Sequence, residues 1–427
     1  MVEKEELLHY VWKYKLYRHE TLRTTEGVPV EVIDRGLMNT DAGPDFFNAK
    51  IKIGKTLWAG DVEIHLKSDE WNKHHHHVDK AYNSVILHVV ECLNGEVFNE
   101  NGQSVPQMVL AVPEKVSARA RFLLKNPEKI ACQGHLNKVP KNLLSSWIDV
   151  LAIERLERKT LDIYENLKRF NNAWNDVFYV LLSRNFGFGL NSDAFERLAL
   201  SMPYNIIQKH RNSLFQIEAL LFGQAGMLKD DVPQDEYYLQ LRNEYLFLQK
   251  KYLLKPLDSF LFKSLRVRPQ SFPQIRIAQL SAVLQQSCSL FSSVLEIENI
   301  KQLRLFFRVN VSDYWHSHYV FGKATAQHST FPGSNSLNII LINTVAPVLF
   351  AYGKKIDVQK YCDRAFSILD DLKPERNGIV EDFCNAGIVP ENAFDTQALI
   401  QLRKEYCEKR KCLYCKIGYF LLSSKGE

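Results

Sequence analysis

The chain has 427 residues, 46% of them hydrophobic and 24% charged, an ordinary globular balance with room for a sizeable core spread over two or three domains. A net charge of +5 permits contact with phosphate without demanding it. Eight cysteines in a chain this long argue against a disulfide framework and point to a reduced, cytoplasmic protein.

The N-terminal stretch MVEKEELLHYVWKYK is charged throughout and carries no apolar signal region. Residues Lys4 to Arg18 fit a helix, with Leu7, Leu8, Val11, Trp12 and Leu16 at helical spacing. Val28 to Ile33 reads as a short strand rich in β-branched residues. Gly36, Asn39, Asp41, Gly43 and Pro44 then supply turn chemistry. Phe46 to Ile53 alternates strictly and predicts a strand, and Leu57 to Lys67 predicts a second, antiparallel to the first. On that second strand Val62, Ile64 and Leu66 point one way, and Asp61, Glu63, His65 and Lys67 the other.

Ser68 to Ala81 can hold a short helix opened by Ser68 or Asp69. SVILHVVE, from Ser84 to Glu91, reads as a centrally buried strand, with His88 as a hydrogen-bonded core residue. Asn94-Gly95 signals a hairpin turn, with Val97-Phe98 and Gln107 to Val112 extending the sheet. From about Val116 onward helical periodicity dominates. The apolar run Leu337 to Tyr352 is interrupted by Asn338, Asn343 and Pro347, so it reads as a buried core helix and not as a membrane span.

The polar face Asp61, Glu63, His65, Lys67 is on its own a solvated face of an edge strand. What changes that reading is the Gly43-Pro44-Asp45 turn one strand earlier. A carboxylate on one strand, with a carboxylate and a basic group two residues on along its neighbour, can converge on a divalent cation of the Mg2+ or Mn2+ type. Simple alternation puts Asp45 on the apolar side of its strand unless the strand begins after it or carries a bulge.

Gly43-Pro44-Asp45 followed by Glu63-Ile64-His65 resembles the PD-(D/E)XK nuclease core, whose order is helix, three strands, helix, strand. The resemblance implies Asp45 and Glu63 as metal ligands, with His65 in the place of the lysine or Lys67 supplying the amine. Along most of its length the chain also resembles an uncharacterised bacterial family, common in Bacteroidetes and known as a domain of unknown function. DAGPDFFNAKI, GDVEIHLKS, SVILHVV, EALLFGQAGML, RPQSFPQIRIAQL and CLYCKIG carry that likeness.

His74 to His77 form an internal run of four imidazoles. On a helix His74 and His77 share a face, where they can bind Zn2+ or contact phosphate, and these two are the expected functional members. Alternatively the run is a polar loop. Near the end, Cys407, Cys412 and Cys415 form C-x4-C-x2-C. They suit a structural metal such as Zn2+, for which a fourth ligand must come from Cys384, Cys362 or a distant histidine; three reduced thiols packed at a helix end fit the spacing equally.

The expected fold class is α+β: an N-terminal nuclease-like mixed sheet with flanking helices over residues 1–115, then a mainly helical region over 116–427 whose tail, from about 395, carries the cysteines. The expected function is a divalent-metal-dependent nuclease or phosphodiesterase acting on nucleic acid. The alternatives are a non-catalytic nucleic-acid-binding or scaffold protein keeping the same fold, and a zinc-stabilised interaction module. No membrane partner is expected.

Overall fold

The computed structural model describes residues 4–17, 22–39, 41–229, 235–287 and 289–423. The chain is α+β and divides into two compact units. Unit 1 comprises Met1–Trp147, Glu381–Ile388 and Leu402–Glu427; unit 2 comprises Ile148–Val380 and Val389–Gln401.

Unit 1 is built on a mixed sheet of β1 (Val30–Asp34), β2 (Leu37–Met38), β3 (Phe46–Ile53), β4 (Thr56–Lys67), β5 (Val85–Cys92) and β6 (Gln107–Val109). The spatial order is β1-β3-β4-β5-β6, with the short β2 also paired to β3. β1, β3 and β4 form an antiparallel meander, as the alternation predicts, whereas β5 runs parallel to β4 and β6 parallel to β5. β4 therefore sits between two partners and is no edge strand.

Helix α1 (Lys4–Lys13) ends before the expected Arg18, which lies outside the described residues. Its Leu8, Val11 and Trp12 share one core with Phe46, Val62, Ile64, Leu87 and Val89. The opposite face of the sheet carries a smaller cluster that includes Trp71, Tyr82 and Val85. Both faces of β4 are thus covered where Val62 to His65 pass through, and all four residues are buried. Burying apolar side chains on one face while sealing a polar stripe on the other makes the stripe's internal pairing decisive, because a buried charge without partners costs far more than an exposed one.

Asn94-Gly95 does not make a hairpin: β5 and β6 are parallel, and the chain turns back later, at 99–102, where Phe98 bridges Ser104. A parallel neighbour needs a longer connection than two residues, and the 93–106 segment supplies it. The stretch from Ser68 to Ala81 holds a short helix opened at Asp69, as the sequence predicts. A single turn, α2 (Glu70–Lys73), stops where His75 adopts a left-handed backbone (φ 64°), and short 3-10 turns follow at His76–Val78 and Lys80–Ser84.

The structure also draws its division later than residue 115. Helix α3 (Glu114–Lys125) places Val116, Ala120 and Leu123 on one face, and these join the sheet's core with Leu413 and Leu422 of the C-terminal segment.

Unit 2 is mainly helical and, among the described residues, has one two-stranded hairpin, His318–Val320 with Lys323–Ala324. Its core is a large apolar cluster to which Phe178, Phe222, Trp315 and Leu349 belong. The segment Ser334–Ile356 is long and apolar enough to cross a membrane by length and composition, but 72% of its apolar window is buried inside the protein. It is a core helix, as its interrupted sequence predicts, with a π-helical turn at Leu341–Val345 ahead of Pro347.

Candidate metal centre

The sequence brings Asp45 to the site through a backbone irregularity. β3 begins at Phe46, one residue after Asp45, and its register with β4 shifts between Phe46 and Ala49. Within that bulge Asn48 takes a left-handed φ of 56°, and its N–H donates to Asp61 Oδ1 (3.0 Å). The other oxygen of Asp61 accepts from Ser84 Oγ (2.6 Å) at the start of β5. Asp61, first of the polar stripe, is therefore a brace that holds the bulge and the parallel strand in place.

With the bulge fixed, Asp45 and Glu63 meet. The Ile64 N–H donates to Asp45 Oδ2 (2.9 Å), and the Asp45 N–H donates to Glu63 Oε2 (3.1 Å). His9, on α1, completes this corner with Nε2 at 3.2 Å from Asp45 Oδ2.

The other Glu63 oxygen faces imidazoles. Oε1 lies 3.4 Å from His65 Nε2 and 3.2 Å from His76 Nε2. His65 Nε2 in turn lies 3.1 Å from His74 Nδ1, and its Nδ1 is 2.9 Å from His88 Nε2. The ligand nitrogens of His65, His74 and His76 all fall within 4.8 Å of one another. Despite its short distance to the carboxylate, His76 Nε2 makes no hydrogen bond. Ligands about 2.1 Å from a tetrahedral ion are about 3.4 Å apart, close to the separations seen here.

Burial tunes these groups. Glu63, His65 and His76 are 5%, 2% and 7% exposed, while His74 faces solvent. Burial, then the charge of Asp45, pushes the Glu63 carboxyl up to about 9. Burial, followed by the neighbouring imidazoles, drives His65 well below the ordinary histidine range, and burial alone leads the lowering of His88 to about 4. His76 is lowered by burial as well. Neutral imidazole is the form that ligates a metal. His9 goes the other way: burial opposes its charge, but the adjacent Asp45 carboxylate outweighs that and raises its pKa.

Of the residues singled out from sequence, Asp45, Glu63, His65 and His74 come together. Lys67 does not: its side chain is exposed beyond the buried part of β4, and its backbone N–H donates to Glu70 Oε2 (2.9 Å). His77 does not either. The left-handed His75 interrupts the helix that would have aligned His74 with His77, and it is His76 that turns inward, stacked on Tyr82 with ring centroids 3.7 Å apart. His65 is buried, with both ring nitrogens within hydrogen-bond distance of other imidazoles. Sequence reasoning missed His9 and did not single out His76. The alternation of buried and exposed residues in a loop carries no signal for His76, and His9 sits on an ordinary amphipathic helix.

The cysteine tail is held in unit 1. Cys407, Cys412 and Cys415 line a single cavity, and a fourth cysteine, Cys132, lines it with them. Burial and the neighbouring thiols push Cys132 up to about 12 and Cys412 to about 11. Cys132, Cys407 and Cys412 form no disulfide.

A family model described as a protein of unknown function, DUF2851, matches residues 5–378. The chain belongs to that family. The match covers α1, the whole sheet and the histidine cluster, and it stops short of the three C-terminal cysteines. Neither a curated protein nor a solved structure matches the chain.

Proposed function

We propose that this protein is a divalent-metal-dependent phosphodiesterase acting on nucleic acid, with its ion held by Glu63, His65, His74 and His76. The observation that carries the reading is the convergence of three imidazole nitrogens, with a Glu63 oxygen 3.4 and 3.2 Å from two of them, beside a second carboxylate. The helix–meander–parallel-strand order of α1, β1, β3, β4 and β5 supports the nuclease-like resemblance, since it is the order that resemblance implies.

The donor set shifts the expected ion. Mg2+ favours oxygen ligands and keeps its waters, whereas three imidazoles and a carboxylate suit Zn2+, Mn2+, Fe2+ or a similar transition ion. Such an ion supplies Lewis acidity toward a phosphoryl oxygen. The chain's own residues do the rest. His88 holds the His65 ring through Nδ1 and so fixes which nitrogen faces the site. Asp45, anchored by Ile64 N–H and partly exposed, is positioned to take a proton from an incoming water, with His9 beside it to return one to the leaving group.

Purified full-length protein incubated with labelled single- and double-stranded DNA and RNA tests the reading, with Mn2+, Zn2+ and Mg2+ compared. Cleavage should require a transition ion and vanish in Glu63→Gln and His74→Ala. Undiminished cleavage in both variants would refute the assignment.

A second reading is a non-catalytic protein that uses the same ion as a structural clamp. The burial of Glu63 and His65 favours it, because only His74 and the Asp45 corner reach solvent. It predicts ion binding and thermal stabilisation with no cleavage of any nucleic acid.

A further inference from the structure

The C-terminal C-x4-C-x2-C segment lacks a fourth ligand within its own sequence, and the fold supplies one. Cys132 follows helix α3, far away along the chain, yet it lines the same cavity as Cys407, Cys412 and Cys415 in unit 1. The remaining wall is apolar and includes Leu123, Ile130, Leu136, Phe383 and Ile417. Each of the four thiols lies close enough to the others to feel their charge: Cys132 feels Cys412 and Cys415, Cys407 feels all three, and Cys412 feels Cys415.

Local backbone geometry builds this arrangement. The π-helical turn Leu402–Cys407 ends the preceding helix, Arg410 takes a left-handed φ of 52°, and a 3-10 turn at Cys412–Tyr414 folds the segment back. Helix Lys416–Ser423 then packs against that turn at Gly418, where a Cβ would overlap the Cys412 carbonyl. A glycine at this contact lets the two CxxC thiols share one wall of the cavity.

We propose that Cys132, Cys407, Cys412 and Cys415 form a four-thiolate metal centre that takes an iron–sulfur cluster. Spacing decides between a cluster and one zinc ion. Thiolates on a single tetrahedral zinc are about 3.8 Å apart, given Zn–S bonds of about 2.3 Å. Among the described residues, the donors that approach within 4.8 Å in a group of three are His65, His74 and His76, and the thiols form no such group. A cluster spreads its four thiolates over several irons and holds them farther apart, and its apolar sheath shields it from solvent. On binding, each thiol releases its proton to solvent as its sulfur bonds to iron. The centre ties the segment after α3 to the C-terminal segment and closes a long loop of chain.

The test uses the untagged full chain, purified without oxygen and assayed for iron, acid-labile sulfide, zinc and visible absorbance. Iron and sulfide in comparable amounts with broad visible absorbance are expected. Cys132→Ser should lose most of the iron and the absorbance, whereas Cys384→Ser and Cys92→Ser should keep both. Reconstituting the metal-stripped parent chain with equal amounts of ferrous and ferric iron and with sulfide should restore the absorbance, which keeps the test valid should Cys132→Ser fail to fold. One zinc per chain, lost in Cys132→Ser, would overturn the cluster. Iron retained together with acid-labile sulfide in a folded Cys132→Ser variant, or a parent chain that takes up neither iron nor zinc, would overturn the four-cysteine site.

Discussion

Glu63 in the sheet unit and Glu218 in the helical unit are the same side chain under the same pressure. Glu218 is fully buried on helix Leu214–Gln224, and burial pushes its carboxyl up to about 7. Neutral donors surround it: the Tyr237 hydroxyl, the Ser312 hydroxyl at 3.0 and 3.1 Å from its two oxygens, and Trp315 Nε1 at 3.4 Å. Both carboxylate oxygens have a hydrogen-bond partner, so Glu218 is a satisfied polar post in an apolar core. Glu63 has one neutral donor, the Asp45 N–H, and otherwise faces imidazoles and a second carboxylate. The contrast teaches that a raised carboxyl pKa does not by itself mark a functional site. The chemistry of the surrounding donors does.

The largest expected effect lies at Glu63. Glu63→Ala should lower affinity for Zn2+ or Mn2+ at the histidine cluster by about 100-fold or more in calorimetry, whereas Glu218→Ala should leave that affinity unchanged. Equal binding by both variants would erase the distinction between the two acids.

Next is the pH response of Glu218. Its folded pKa is raised above its unfolded value, so the folded chain holds the extra proton between about pH 4.5 and 7. This group's contribution therefore favours folding most below that window, falls as pH rises through it and is flat above. The full change is about 3 kcal/mol from the shift and the usual energy per pKa unit. In chemical denaturation across that range, Glu218→Gln should flatten the slope. A slope that survives the substitution would assign it to another group.

A smaller effect is expected one residue removed from the ligands. His88→Ala frees the His65 ring and should weaken ion binding by about 10- to 100-fold while leaving the ligand count intact. The least effect belongs to Lys67. Lys67→Ala should leave ion affinity unchanged and shift stability by no more than about 0.5 kcal/mol, as for an ordinary exposed side chain. A large loss of ion binding there would bring the amine back into the site.

Much of the sheet was legible because period-two alternation is a local property. Phe47, Ala49, Ile51 and Ile53 announce β3, and Val62, Ile64 and Leu66 announce β4 with its polar stripe. The meeting of Asp45 with Glu63 was foreseeable for the same reason, given a bulge or a late start to β3, and β3 has both. The parallel pairing of β5 with β6 was not, because Asn94-Gly95 is locally a good turn and only the rest of the sheet decides that the chain travels on. His76 was passed over in favour of His77 because helical spacing was assumed where a single left-handed residue, His75, breaks it.

Taken alone, the order of residues determined which side chains share a strand face, where helices replace strands, that the apolar run around Val345 belongs in a core, and that three thiols lie close together near the end. Tertiary structure alone decided that β4 is central and sealed on both faces, that His9 leans onto Asp45, and that Cys132 joins Cys407, Cys412 and Cys415. The physical reason is range. Backbone periodicity sets directions over a few residues, whereas a binding site is a coincidence of directions from distant segments, fixed only when burial of the apolar faces forces those segments into one register.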